Sequence, residues 1–162
     1  MSKRKGFTLI ELLVVIAIIG IISAIAMVSL TQGKRQARDT KRVADMQQMR
    51  NALLIYSNQR ANYPPYSSAT WTGNLGSAAD KTICLDDSDL GFHAGTVGVD
   101  DCTGITIMKR VPNENASGTP YIYSKTGITS YTISFTLEGP VGSLTPSGSH
   151  ICTAKPEGIT CP

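Results

Sequence analysis

Lys3-Arg4-Lys5-Gly6-Phe7-Thr8-Leu9-Ile10-Glu11 stands near the start of the chain, and 19 uncharged residues follow it from Leu12 to Leu30. A run of that length crosses a bilayer: residues 7–30 make a helix of about 36 Å at ~1.5 Å per residue, against a hydrocarbon core of about 30 Å. Glu11 lies inside this run. A charge at the centre of a membrane helix costs roughly 2.5–3.5 kcal/mol on insertion scales, so such a carboxylate calls for a partner or a role. Two ordinary readings give it neither. A secretory signal peptide explains the basic start and offers Ala24-Ile25-Ala26 as a cut site. A carboxylate so early in the apolar region is foreign to that layout, however, and the uncharged run continues past the cut. A plain single-pass anchor explains the length and leaves Glu11 and the Gly6-Phe7 junction without a reason.

From Thr31 the pattern changes. Val43, Met46, Met49, Leu53 and Tyr56 recur at spacings of three and four, which predicts a helix with one buried face. Lys34, Arg35, Arg38, Asp39, Lys41, Arg42, Asp45 and Arg50 fill the polar positions between them. Arg35 with Asp39 and Lys41 with Asp45 are four apart, suited to modest surface pairs. With no proline between Phe7 and Arg60, one nearly continuous helix is expected, apolar all round in its first half and amphipathic in its second. Pro64 and Pro65 bias the chain before them to extended geometry, so the helix should end near residues 60–62.

The remaining residues, about a hundred, suffice for one small domain. Residues 62–104 are rich in Gly, Ser, Thr and Asp and predict a long irregular region with one short element at most, marked by Trp71, Phe92 and His93. Strand signals follow at 105–111, 121–125, 130–137 and 149–154. Tyr131, Ile133, Phe135 and Leu137 alternate cleanly and should lie against the amphipathic half of the helix. Gly139-Pro140 and Pro146-Ser147-Gly148 suit turns between antiparallel strands. The four cysteines, Cys84, Cys102, Cys152 and Cys161, allow three pairings that sequence alone does not decide. Loop length favours Cys84 with Cys102 and Cys152 with Cys161, and disulfides point to an oxidising compartment.

The basic leader, the small Gly6, the aromatic Phe7, Glu11 and the apolar run, in that order, resemble the start of type IV pilins and type II secretion pseudopilins. So do Leu53-Leu54-Ile55-Tyr56 and the exit through Asn62-Tyr63-Pro64. The resemblance implies an α+β, ladle-shaped fold: a long helix as handle and a small antiparallel sheet as head. It implies a leader of residues 1–6, a membrane or filament-core half at 7–30, an amphipathic half at 31–61 and a head at 62–162, with its sheet in 105–162. It further implies cleavage between Gly6 and Phe7, N-methylation of Phe7, and a meeting of Glu11 with the new amine of a neighbouring subunit. The partners implied are a prepilin peptidase and methylase, copies of the chain and other pilins in a helical filament, the bilayer before assembly, and an inner-membrane platform with a cytoplasmic ATPase. The subunit would be a single-pass protein of the cytoplasmic (inner) membrane with its head exported, then part of an extracellular pilus or a periplasmic pseudopilus. Val28 stands near the position where many type IV pilins carry proline. The Cys152 and Cys161 pair enclosing a C-terminal loop looks more like pilins, and the acidic C-terminal loop common in major pseudopilins is missing.

No catalytic constellation or cofactor motif is visible. His93 and His150 lie in no metalloprotease or nucleophile context, and no phosphate-binding loop is present. Asp86, Asp87 and Asp89, with Asp100 and Asp101, are oxygen-rich calcium candidates, but they lack EF-hand spacing and read in preference as a solvated acidic loop. A net charge of +3 does not mark a nucleic-acid protein. The stripe from Lys34 to Arg42 could meet DNA phosphates, though lipid headgroups or acidic groups on neighbouring subunits are the commoner partners at that height. The same stripe outnumbers Lys3, Arg4 and Lys5, which by charge balance alone would leave the head in the cytoplasm. The cysteines and the resemblance argue for export. Asn115-Ala116-Ser117 fits a glycosylation sequon.

Overall fold

The computed structural model describes residues 6–65, 70–77, 82–93, 102, 104–114 and 119–162. Lys3, Arg4, Lys5, Asp100, Asp101 and the sequon at Asn115 lie outside the described residues. One helix, α1 (Leu9–Arg60, 52 residues), runs unbroken through the apolar and amphipathic halves. It starts at Thr8, whose extended backbone and hydroxyl cap the first turn, and stops at Ala61, which turns left-handed at φ 51° and returns its N–H to the Ser57 carbonyl.

Among the described residues, eight strands form two antiparallel sheets. β1 (Trp71–Asn74), β5 (Ile122–Lys125), β6 (Tyr131–Thr136), β7 (Ile151–Lys155) and β8 (Gly158–Thr160) lie side by side in that order. The second sheet has β2 (Cys84–Asp86) between β3 (Phe92–His93) and β4 (Thr106–Met108). The expectation of an irregular stretch over 62–104 is therefore corrected: it holds three of the eight strands, and one of them, β1, is an edge of the larger sheet. β8 is also beyond the sequence reading. Both are short, and β1 gains its partner only from β5, with Trp71 opposite Lys125.

The core forms where α1 crosses the sheets. Met46, Met49, Leu53 and Tyr56 are buried, and Tyr131, Ile133, Phe135 and Leu137 face them as the alternation requires. An aromatic seam joins the two sheets. Trp71 stacks on Phe92 at 6.2 Å, Phe92 meets Tyr123 edge-on at 5.3 Å, and Tyr123 stacks on Tyr131 at 5.7 Å. The Tyr123 hydroxyl donates to the Pro64 carbonyl at 2.8 Å, which ties the exit loop of α1 to the same seam. Gly91 sits where α1, this loop and the β2–β3 turn converge. Its φ of +69° and a would-be Cβ only 2.4 Å from Pro64 leave room for no side chain.

Disulfides close two loops, Cys84–Cys102 across 18 residues and Cys152–Cys161 across 9. Cys84 lies on β2 and Cys152 on β7, so each bridge is anchored in a strand. Ile133, wholly buried, and Ile128, 60% exposed, make a matched pair for testing this packing. Ile133→Ala should cost about 2–5 kcal/mol and Ile128→Ala less than about 0.5 kcal/mol, read as denaturant midpoints of the detergent-solubilised chain.

Candidate functional site

At the N-terminal end, Gly6, Phe7 and Thr8 precede the helix, and Phe7 is 81% exposed. Thr8 and Glu11 form a reciprocal capping box. The Thr8 N–H donates to a Glu11 carboxylate oxygen at 2.9 Å and its hydroxyl to the same oxygen at 2.8 Å, while the Glu11 N–H reaches the Thr8 hydroxyl at 3.3 Å. Glu11 thus has a local partner within the single chain, a role that Thr8-x-x-Glu11 spells out in sequence and that the reading of the run as a membrane segment passed over. Above it, every described side chain of residues 9–37 is exposed; the head covers none of the apolar half. A bare apolar stretch long enough to cross a membrane demands lipid or other helices around it.

The second site lies where α1 enters the head. Arg42 is 1% exposed and Asp39 2% exposed, which corrects the placing of both on the solvent side. Arg42 Nη1 donates to Asp39 Oδ1 at 2.6 Å and to Glu138 Oε1 at 3.2 Å, and its Nε donates to Glu114 Oε2 at 3.1 Å. Asp39 also accepts the backbone N–H groups of Glu138 and Gly139 at 2.9–3.0 Å. The expected Arg35–Asp39 surface pair is replaced by this cluster. Arg38 makes a two-pronged contact with Glu138 at 2.8 and 2.6 Å, and Arg35 approaches the same carboxylate at 3.9 Å. Asp45 points to the Tyr121 hydroxyl at 3.0 Å, with Lys41 a nearby charge.

The signal for this site was present in the spacing. Residues 39, 42, 46, 49, 53 and 56 continue one alternation of three and four, and all six are buried. The stripe simply changes from apolar to ionic in its first two members. The cationic stripe is accordingly divided: Arg42 is enclosed and Arg38 is committed to Glu138, while Lys34, Arg35 and Lys41 stay exposed.

The three aspartates offered for calcium are turned inward or paired. Asp86 is buried and accepts from the Ser88 and Gly104 N–H groups at 3.0 and 2.8 Å, with His93 Nε2 at 3.1 Å. Asp87 accepts from the Ile105 N–H, and Asp89 holds Arg60 at 2.6 Å. Among the described residues no cluster of His, Cys, Asp or Glu has metal-site geometry. Burial raises the Asp86 carboxyl, but the hydrogen bonds from Ser88 and Gly104 outweigh it and hold the group below the ordinary aspartate range. Glu138 is likewise held below the ordinary glutamate range, chiefly by the Arg38 hydrogen bond. Burial lifts Asp45 the other way, against the Tyr121 hydrogen bond.

Residues 1–27 match the family model of the prokaryotic N-terminal methylation motif. The start of the chain carries that motif. The chain is 39% identical over 63 residues to the Type II secretion system core protein G of Escherichia coli (strain K12), covering 39% of this chain and 43% of that protein. It is 38% identical over 64 residues to the protein of the same name from Vibrio cholerae, covering 40% and 44%. Over 40 residues it is 52% identical to the Type IV wide pilus major component PilA4 of Thermus thermophilus, covering 25% and 30%. The chain spans less than half the length of these relatives. No solved structure is significantly similar to the chain.

The ion cluster generates two predictions. Arg42→Met removes the buried cation from Asp39 and Glu114, while Glu138 keeps Arg38, and should cost about 3–5 kcal/mol, as breaking a buried pair from one side does; Arg42→Lys, without the planar fork, should recover only part, both read by denaturant unfolding. The depressed carboxyls set the acid response. Because Glu138 and Asp86 have folded pKa values below their unfolded ones, their stabilisation is complete above the unfolded values of about 4 and is lost as pH falls through the folded ones, while Asp45 acts in the opposite sense. Glu138→Gln should therefore shrink the difference between unfolding midpoints measured at about pH 7 and about pH 3.

Proposed function

We propose that this chain is a structural, non-enzymatic subunit of a type IV pilus-like filament. The observation that carries the reading is the uncovered apolar half of α1, entered through a methylation motif whose Gly6–Phe7 junction lies exposed and outside the helix. A prepilin peptidase would cut after Gly6, and the methylase activity would modify the amine of Phe7. The apolar half would lie first in the cytoplasmic membrane with the head exported, then in the core of a helical filament built on the inner-membrane platform and its ATPase. Removal of Lys3, Arg4 and Lys5 with the leader leaves the subunit formally neutral on side chains, suited to packing against copies of itself.

Glu11 would set the register of assembly. In a filament core its carboxylate needs a counter-charge, and the methylated amine of a neighbouring Phe7 supplies one. The two disulfides suit an exported head. DNA would meet a reduced stripe of Lys34, Arg35 and Lys41, since Arg42 is enclosed and Arg38 is paired.

A pseudopilus is the second reading, supported by the similarity to type II secretion core proteins G over 63 and 64 residues. The Cys152–Cys161 loop favours the pilus.

Intact mass and N-terminal sequencing of the native, non-reduced protein test the reading. A chain beginning at methylated Phe7 and carrying two disulfides is expected; one beginning at Met1, or at Met27 after an ordinary signal cut, would overturn it. Replacing Gly6 with a bulky residue should leave uncut precursor in the membrane. Glu11→Gln keeps the cap partner but removes the charge, so it should be inserted and processed while filaments are lost; a normal filament yield would remove the assembly role.

A further inference from the structure

The Gly6–Phe7 bond lies two residues before the first helical residue, Leu9, and what stops the helix there is the Thr8 cap. An α-helix extended back over these residues would bond the Ile10 N–H to the Gly6 carbonyl and the Glu11 N–H to the Phe7 carbonyl. The structure shows another arrangement. The Glu11 N–H is held by the Thr8 hydroxyl, the outermost helical bond runs from the Leu12 N–H to the Thr8 carbonyl at 3.3 Å, and Thr8 is extended at φ −83° and ψ 151°. Glu11 completes the stop by accepting both the Thr8 N–H and the Thr8 hydroxyl.

We propose that Thr8 is a positioning residue for processing: through its cap with Glu11 it holds the Gly6–Phe7 bond outside the helix, in the form a prepilin peptidase can take. The inference rests on the cleavage reading above. In the hydrolysis, the oxygen of water bonds to the Gly6 carbonyl carbon, the C–N bond to Phe7 breaks, and the nitrogen takes a proton and leaves as the Phe7 amine, with Gly6 ending as a carboxylate. A peptidase must reach and polarise that carbonyl. A helical hydrogen bond would occupy its lone pair and curl the chain around it, whereas the capped form leaves it exposed. Gly6, the poorest helix former after proline, works in the same direction.

Glu11 thereby acts before assembly as well as in it. The same carboxylate that needs a cation in the filament first serves as half of a stop signal, and each role uses a different property. The cap uses its hydrogen-bond acceptance, the filament its charge.

The test is cleavage of the detergent-solubilised full chain by a prepilin peptidase, followed by intact mass, with membrane insertion measured in parallel. Thr8→Ala removes the hydroxyl and favours helix at that position, and should slow cleavage about fivefold, the factor that a lost N-cap is worth. Thr8→Ser and Thr8→Asn both cap well with different shapes, and both should restore the rate. Cleavage of Thr8→Ala at the wild-type rate overturns the inference and leaves the processing reading standing. A Thr8→Asn as slow as Thr8→Ala overturns it too, since the enzyme would then be reading the shape of threonine. Failure of the peptidase to cut the wild-type chain between Gly6 and Phe7 overturns the processing reading itself.

Discussion

The guanidinium of Arg42, enclosed by Asp39, Glu114 and Glu138, fixes how the head sits on its helix. Its partners come from 72 and 96 residues away in the chain, so the cluster closes only when the loop before β5 and the turn after β6 have both reached α1. A buried charge left unpaired costs several kcal/mol, and apolar packing alone would tolerate a slip along the helix better than this cluster does. The backbone N–H groups of Glu138 and Gly139 add directional bonds to Asp39, which leaves one register. The apolar contacts of Met46, Met49, Leu53 and Tyr56 supply the bulk of the attraction, and the ions decide where it is applied.

Farther along the helix two more arginines do similar work with backbone oxygens. Arg50 donates to the carbonyls of Lys155 and Pro156 at the β7–β8 turn, at 2.8 and 2.9 Å. Arg60 donates to the Asp87 carbonyl and pairs with Asp89 in the turn after β2, both at 2.6 Å. The helix is therefore fastened to three separate parts of the head, the smaller sheet included. Between them the aromatic seam from Trp71 to Tyr131 makes the two sheets one core.

What was legible in the sequence is what repeats locally. The proline-free span set α1, the spacing of Met46, Met49, Leu53 and Tyr56 set its inner face, and the alternation of Tyr131 to Leu137 set the central strand. Those signals belong to single elements. The strands hidden in 62–104 have two to four residues each and owe their existence to partners elsewhere: β1 to β5, β3 to β2 beside a disulfide. Asp39 and Arg42 escape the local signal for a related reason: their charge reads as solvent-facing, although the three-and-four alternation runs straight through them. Of the candidate site, the Gly6-Phe7-Glu11 motif was legible outright, while Thr8 was overlooked because its work is done by a hydroxyl that only matters once the helix has an end.

The three arginine fastenings are spaced along the helix axis rather than gathered at one end. A pull directed along that axis would reach them side by side, as shear, so that each carries a share of the load. A force prising the head away sideways would reach them one after another, as peeling. A subunit fastened in this way is strongest along the line of its own helix and weakest across it.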